Sequence, residues 1–146
     1  MTVRLRKKNY PYPHWEYLDN NSSNRLRIVP ERGGLITQWN HQGQEILYFD
    51  LERFKQSNKS IRGGIPILFP ICGNLPGDCF SIPQGEFFLK QHGFARNLPW
   101  IMGLLENKDG FYLKLSSNKD TRSQFPYEFI IQIEICPTIN SLDFHI

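Results

Sequence analysis

Alternation with a period of two runs through most of this chain, and it leaves room for little besides antiparallel β structure. Successive residues of a strand point to opposite faces, so a strand buried on one side reads as apolar and polar residues in turn. Phe111, Leu113 and Leu115 point one way, while Tyr112, Lys114 and Ser116 point the other. Phe129, Ile131, Ile133 and Ile135 make a second apolar face, with Glu128, Gln132 and Glu134 turned away. Upstream, Arg25 to Pro30 alternates with Leu26 and Ile28 on one side, and Leu35, Thr37 and Trp39 oppose Ile36 and Gln38. Turn-forming clusters separate these runs at Glu31-Arg32-Gly33-Gly34, at Asn40-His41-Gln42-Gly43 and at Asn107-Lys108-Asp109-Gly110. The last of them ends in the Asp-Gly pair favoured by hairpins.

Glu45 to Phe49 is expected to return as a strand, giving two successive hairpins over residues 25–49. Trp100 to Glu106 leads into the Asp109-Gly110 turn, and Leu142, Phe144 and Ile146 begin a further strand after the turn Pro137 to Ser141. Asp50 to Gln56 is the one helix candidate, with Asp50 as its cap. Ser117 to Gln124 reads as a polar loop. Strands at this spacing, almost without helix, predict an all-β fold of the large-sandwich type. The apolar pattern continues to Ile146. The expectation is therefore one domain, residues 1–146, forming part of a sandwich. Its last strand would offer an open edge to which a second copy could pair as a homodimer.

Composition narrows the class. In 146 residues, 40% are hydrophobic and 14% aromatic, enough for a packed core and against disorder. A formal charge of +3 is too weak to argue for a nucleic-acid partner. Arg4, Arg6, Lys7 and Lys8 gather near the N-terminus and read as a solvated first strand or arm. The longest apolar run, Ile65 to Cys72, is broken by Pro66 and Pro70 and is far below the roughly 20 residues of a membrane span. No membrane partner is expected. No apolar signal segment follows Met1, and the odd set Cys72, Cys79 and Cys136 suits reduced thiols in a cytoplasmic protein. Cys72 and Cys79 are poorly spaced for zinc, so no metal site is expected.

The chemistry concentrates between Ile61 and Trp100. Arg62 stands before Gly63-Gly64, where the backbone can approach a ligand and the guanidinium offers a fork of donors to a carboxylate, a phosphate or vicinal hydroxyls. On spacing alone, a surface arginine pairing with a local acid is the more ordinary reading. Pro66 and Pro70 bracket Ile67-Leu68-Phe69, which reads as an edge or kinked strand. Gly73 to Asp78 is a loop in which Asn74 is either a sugar-hydroxyl partner or a turn residue. In Gln91-His92-Gly93-Phe94-Ala95-Arg96, His92 can donate or accept near neutral pH, and Phe94 and Trp100 suit the apolar faces of a sugar ring. A lone histidine is also commonly structural. His14 and His41 lie in polar, surface-like contexts, and His145 alternates with the apolar face of the last strand. No nucleotide-type phosphate loop, no Gly-x-Ser-x-Gly elbow and no paired carboxylates are present.

Taken together, Ile61 to Gly73 (IRGGIPILFPICG), His92 to Arg96 (HGFAR) and Leu98-Pro99-Trp100 resemble the aldose 1-epimerase, or galactose mutarotase-like, superfamily, and most of all its hexose-6-phosphate mutarotase branch. Gly34 to Tyr48 and Tyr127 to Phe129 fit the same pattern. The resemblance implies a partial antiparallel β-supersandwich with a small sugar or sugar phosphate on its concave face. It implies interconversion of α and β anomers by general acid–base catalysis, without cofactor or metal. On the matching positions Arg62, His92 and Arg96 would bind substrate, the arginines holding a phosphate, with Asn74 as a further contact. Family members are about twice as long. Their acid histidine and base glutamate come from the later half, so the resemblance assigns no catalytic residue within these positions and implies that the chain alone is inactive. A non-catalytic carbohydrate- or sugar-phosphate-binding module is the alternative expectation.

Overall fold

The computed structural model describes residues 3–146. Two antiparallel sheets build the body of the fold. The first has five strands in the order β1-β2-β3-β4-β5, from β1 (Val3–Lys8), β2 (His14–Asp19), β3 (Asn24–Val29), β4 (Leu35–His41) and the stub β5 (Gln44–Glu45). A hairpin of β6 (Cys79–Ile82) and β7 (Gly85–Phe88) stands apart. The second sheet runs β11-β10-β9-β8, from β8 (Ile101–Leu104), β9 (Phe111–Ser116), β10 (Ile130–Pro137) and β11 (Leu142–His145).

The alternation decides which faces meet. Tyr17, Leu26, Ile28 and Ile36 from the first sheet and Phe111, Leu113, Leu115, Ile133 and Ile135 from the second form one buried cluster, closed by Ala95 and Trp100. Each such side chain contributes roughly 1.5–3 kcal/mol by leaving water. The register agrees, since Ile131, Ile133 and Ile135 pair across the sheet with Leu115, Leu113 and Phe111. At the second sheet's edges Leu104 and Phe144 share the inner face, yet each remains 43% exposed.

The β4 strand departs from simple alternation. Its register with β3 shifts between Arg27 and Ile28, and Leu35, Ile36 and Thr37 are all buried. Both faces are covered here. Ile36 faces the main cluster, while Leu35 joins a second one with Tyr12, Val29 and Phe54. The helix α1 (Leu51–Phe54) supplies Phe54, and Asp50 caps it by accepting from the Arg53 amide at 2.9 Å.

Four local expectations are corrected. Residues 117–124 are not a loop throughout: α2 (Lys119–Gln124) forms there, with Asn118 and Thr121 satisfying each other's backbone amides in a capping box. The expected strand Glu45 to Phe49 pairs only at Gln44–Glu45 before the chain leaves to reach α1, although Phe49 bridges Gly63. The Ile67 to Phe69 segment forms no strand; Phe69 makes one isolated bridge, to Gly93, and Ile65 just before the segment makes another, to Ile36. His14 is not at the surface. It is buried, its ring lies 5.3 Å from that of Tyr12, and its Nδ1–H donates to the Tyr12 carbonyl at 2.7 Å.

Tyr17 gives the core a measurable signature. Its hydroxyl is buried without a hydrogen-bond partner among the described residues. Burial first, and Asp19 second, push the phenol above its ordinary value. The folded chain therefore holds this proton to higher pH than the unfolded chain. The stability tied to neutral Tyr17 is whole below the unfolded value of about 10 and is lost as pH rises through the folded value. Tyr17→Phe is expected to raise stability near neutral pH by about 1 kcal/mol, because an unpaired hydroxyl leaves the core. It should also flatten the decline above about pH 10. Thermal unfolding followed across the alkaline range checks both effects.

Candidate functional site

Three turns converge on one cleft of about 620 Å³ between the first sheet and the loops that precede β8. The β3–β4 turn brings Arg32. The segment after α1 brings Lys59 and Arg62, and the turn after β7 brings His92 and Arg96. All five line the cleft, and no aspartate or glutamate lines it among the described residues. The structure thus brings Arg62, His92 and Arg96 together. Asn74 is exposed in the loop before β6 and lies outside the lining.

Glycine explains how these side chains are placed. Arg32, Arg62 and His92 are each followed by a glycine with positive φ, at +77° for Gly33, +85° for Gly63 and +67° for Gly93. Each packs its bare Cα against another loop, so that a Cβ would overlap the carbonyl oxygen of Arg96, Tyr48 or Phe69 respectively. Gly33 also donates to the Leu98 carbonyl at 2.9 Å, and Gly64 to Tyr48 at 2.8 Å. Close approach of this kind is open only to glycine. The first contact sets Gly33, the residue after Arg32, directly against the backbone of Arg96, which sits in the 3₁₀ turn Ala95–Asn97.

His92 is also held in one orientation. It adopts φ +68°, and its amide donates to the Gly73 carbonyl at 3.0 Å. Its Nδ1 lies 2.5 Å from the Cys72 carbonyl. A carbonyl oxygen only accepts, so Nδ1 carries a proton and Nε2 is the ring nitrogen left to face a ligand.

The cations lack internal counter-charges. No salt bridge engages Arg32, Lys59, Arg62 or Arg96 among the described residues; Glu31, next to Arg32, pairs with Lys7 at 3.9 Å. Arg96 makes only a long contact, Nη2 to the Gln91 carbonyl at 3.5 Å, and its Nε is buried without a partner. Four guanidinium or ammonium groups around one cavity without a carboxylate form an anion-binding site. Sequence reasoning missed Arg32 and Lys59. A usable signal for Arg32 was present, since Arg32-Gly33-Gly34 repeats the triplet Arg62-Gly63-Gly64.

The model of the family described as aldose 1-epimerase matches residues 17–136. The chain belongs to the aldose 1-epimerase family. The Escherichia coli (strain K12) protein named "Putative glucose-6-phosphate 1-epimerase" is 30% identical over 104 residues, which are 68% of this chain and 32% of that protein. Among solved structures, the Slr1438 protein of Synechocystis sp. PCC 6803 is 44% identical, with a TM-score of 0.83 over 99% of this chain and 48% of its own. A galactose mutarotase-like protein of Lactobacillus casei shares the fold at 21% identity and a TM-score of 0.68, over 83% of this chain and 39% of its own. This aldose 1-epimerase family chain therefore spans about a third of the length of its Escherichia coli relative and about half that of Slr1438. The antiparallel all-β architecture expected from the sequence is the galactose mutarotase-like fold. No helix among the described residues is long and apolar enough to cross a membrane.

Proposed function

We propose that the chain forms the substrate-holding part of an aldose 1-epimerase that interconverts the α and β anomers of a hexose 6-phosphate. The lining of the cleft carries this reading: four permanent cations and no carboxylate. A neutral sugar needs no such charge, whereas a phosphate carries about two negative charges and accepts bidentate guanidinium bonds. The name of the Escherichia coli relative points to the same substrate class. In this reading Arg62 and Arg96 hold the phosphate, and His92 offers Nε2 to a sugar hydroxyl. Asn74, outside the cleft, receives no role.

Anomer exchange needs a base to take the proton of the anomeric hydroxyl and an acid to protonate the ring oxygen. The ring then opens, the C1–C2 bond rotates, and closure on the other face returns both protons. The cleft lining offers one imidazole and no carboxylate. The reading therefore gives the acid and base to the part of the family fold that this chain does not span, and leaves binding to this chain. Free thiols at Cys72, Cys79 and Cys136 suit the reducing cytoplasm. The outer strand β11, with Phe144 exposed and Ile146 exposed just beyond it, suits pairing with a second copy.

NMR exchange between the anomers of glucose 6-phosphate, measured with the purified chain alongside a titration, tests the proposal. Saturable binding of glucose 6-phosphate is expected, with exchange no faster than in buffer. Absence of binding would overturn the substrate-holding role. Exchange well above buffer would overturn the assignment of acid and base elsewhere.

A further inference from the structure

We infer that Arg32, tied to α1 through Phe54, is a third phosphate-binding arginine and decides the preference of this cleft for phosphorylated over free sugars. The inference rests on the sugar-phosphate reading above and adds to it a residue that the family resemblance did not supply.

Arg32 is aimed by contacts that leave most of its donors unused. Its Nη1 donates to the Phe54 carbonyl at 2.7 Å, and its Cζ lies 3.9 Å from the centroid of the Phe54 ring. Those are its only side-chain partners among the described residues. A guanidinium carries five N–H donors in a fixed plane, so the one bond to Phe54 sets the plane and leaves four donors over. Stacking on the ring removes water from one side, and burial draws the group below the ordinary arginine value. A half-buried cation without a counter-ion attracts an anion, and the cleft beside it leaves room for one.

Its position also fits. Gly33, the residue after Arg32, packs against the Arg96 carbonyl, so the turns that carry Arg32 and Arg96 meet at the cleft, while Arg62 comes from a separate segment. A phosphate has three free oxygens, and three guanidinium groups from two sides can meet it where a neutral hydroxymethyl would leave them unpaired. Guanidinium donors set around a phosphate lose those bonds to a ligand that lacks the matching acceptors, which is how such a site discriminates.

The bland alternative is that Arg32 only staples α1 to the β3–β4 turn. Isothermal titration of inorganic phosphate and of glucose 6-phosphate, with thermal unfolding measured in parallel, separates the two. Arg32→Gln is expected to weaken both ligands about 10-fold or more, the value of one charge-assisted bond. Arg32→Lys, which keeps the charge and loses the planar fork, should fall between the two proteins and carries the test if the glutamine variant does not fold. Unchanged affinity in a folded variant, with only the unfolding temperature lowered, overturns the role of Arg32 and leaves the sugar-phosphate reading standing. A wild-type chain that binds neither phosphate nor glucose 6-phosphate overturns that reading, and this inference with it.

Discussion

Replacing Arg62 and Arg96 together with alanine is expected to weaken glucose 6-phosphate binding by about 100-fold or more. Each would give a phosphate at least one charge-assisted hydrogen bond, worth about 1.5–3 kcal/mol. Stability should change little, within about 1 kcal/mol, because neither side chain is engaged in the fold. Arg62 is exposed with no ion pair among the described residues, and the single bond of Arg96 is 3.5 Å long. Titration calorimetry reads the affinity and thermal unfolding reads the stability. A loss smaller than about 10-fold, in a protein that unfolds as wild type does, would mean that the two arginines are not the principal anion contacts.

Gly93→Ala should do the reverse, acting on the fold before the ligand. At φ +67° an added methyl overlaps the Phe69 carbonyl and crowds the Pro70 ring at 2.7 Å. The same carbonyl accepts from the amides of Phe94 and Ala95, so it cannot retreat without breaking bonds that hold the turn. The left-handed conformation alone costs a non-glycine residue about 1–2 kcal/mol. With the overlap added, a loss of about 3 kcal/mol or more is expected, a fall of roughly 10 °C in Tm for a domain of this size. Gly43→Ala is the control, since Gly43 has a similar φ of +84° but nothing within 4 Å of the added carbon. Should the two variants unfold at the same temperature, the close approach at Phe69 would not be what demands glycine.

Much of the architecture was legible because it rests on local alternation. The strands of the second sheet follow from Phe111-Leu113-Leu115 and Ile131-Ile133-Ile135, whose register needs no knowledge of the opposite sheet. Asp50 announced α1 because an N-cap is a local hydrogen bond. What escaped depends on distant partners or on an uncommon version of a local rule. The α2 cap uses Thr121 where the usual glutamate or glutamine would stand, within a polar run that reads as a loop. His14 is buried by Tyr12 and its surroundings, although its own sequence neighbours look solvated. The triad Arg62, His92 and Arg96 was found through family-like motifs. Arg32 was not, because its own neighbours read as a turn, and what sets that turn at the cleft is the distant contact of Gly33 with the Arg96 backbone.

The glycines behind the basic residues divide responsibility within the cleft. The path of the main chain is set by Gly33, Gly63 and Gly93 against three carbonyls, and the Arg62 side chain that projects from it has no partner among the described residues. Shape and chemistry can therefore drift separately. Arg62 exchanged for glutamine would alter what is bound but leave the scaffold as it was, so a lineage can move toward neutral ligands at that position without passing through an unfolded intermediate. The glycines have no such freedom.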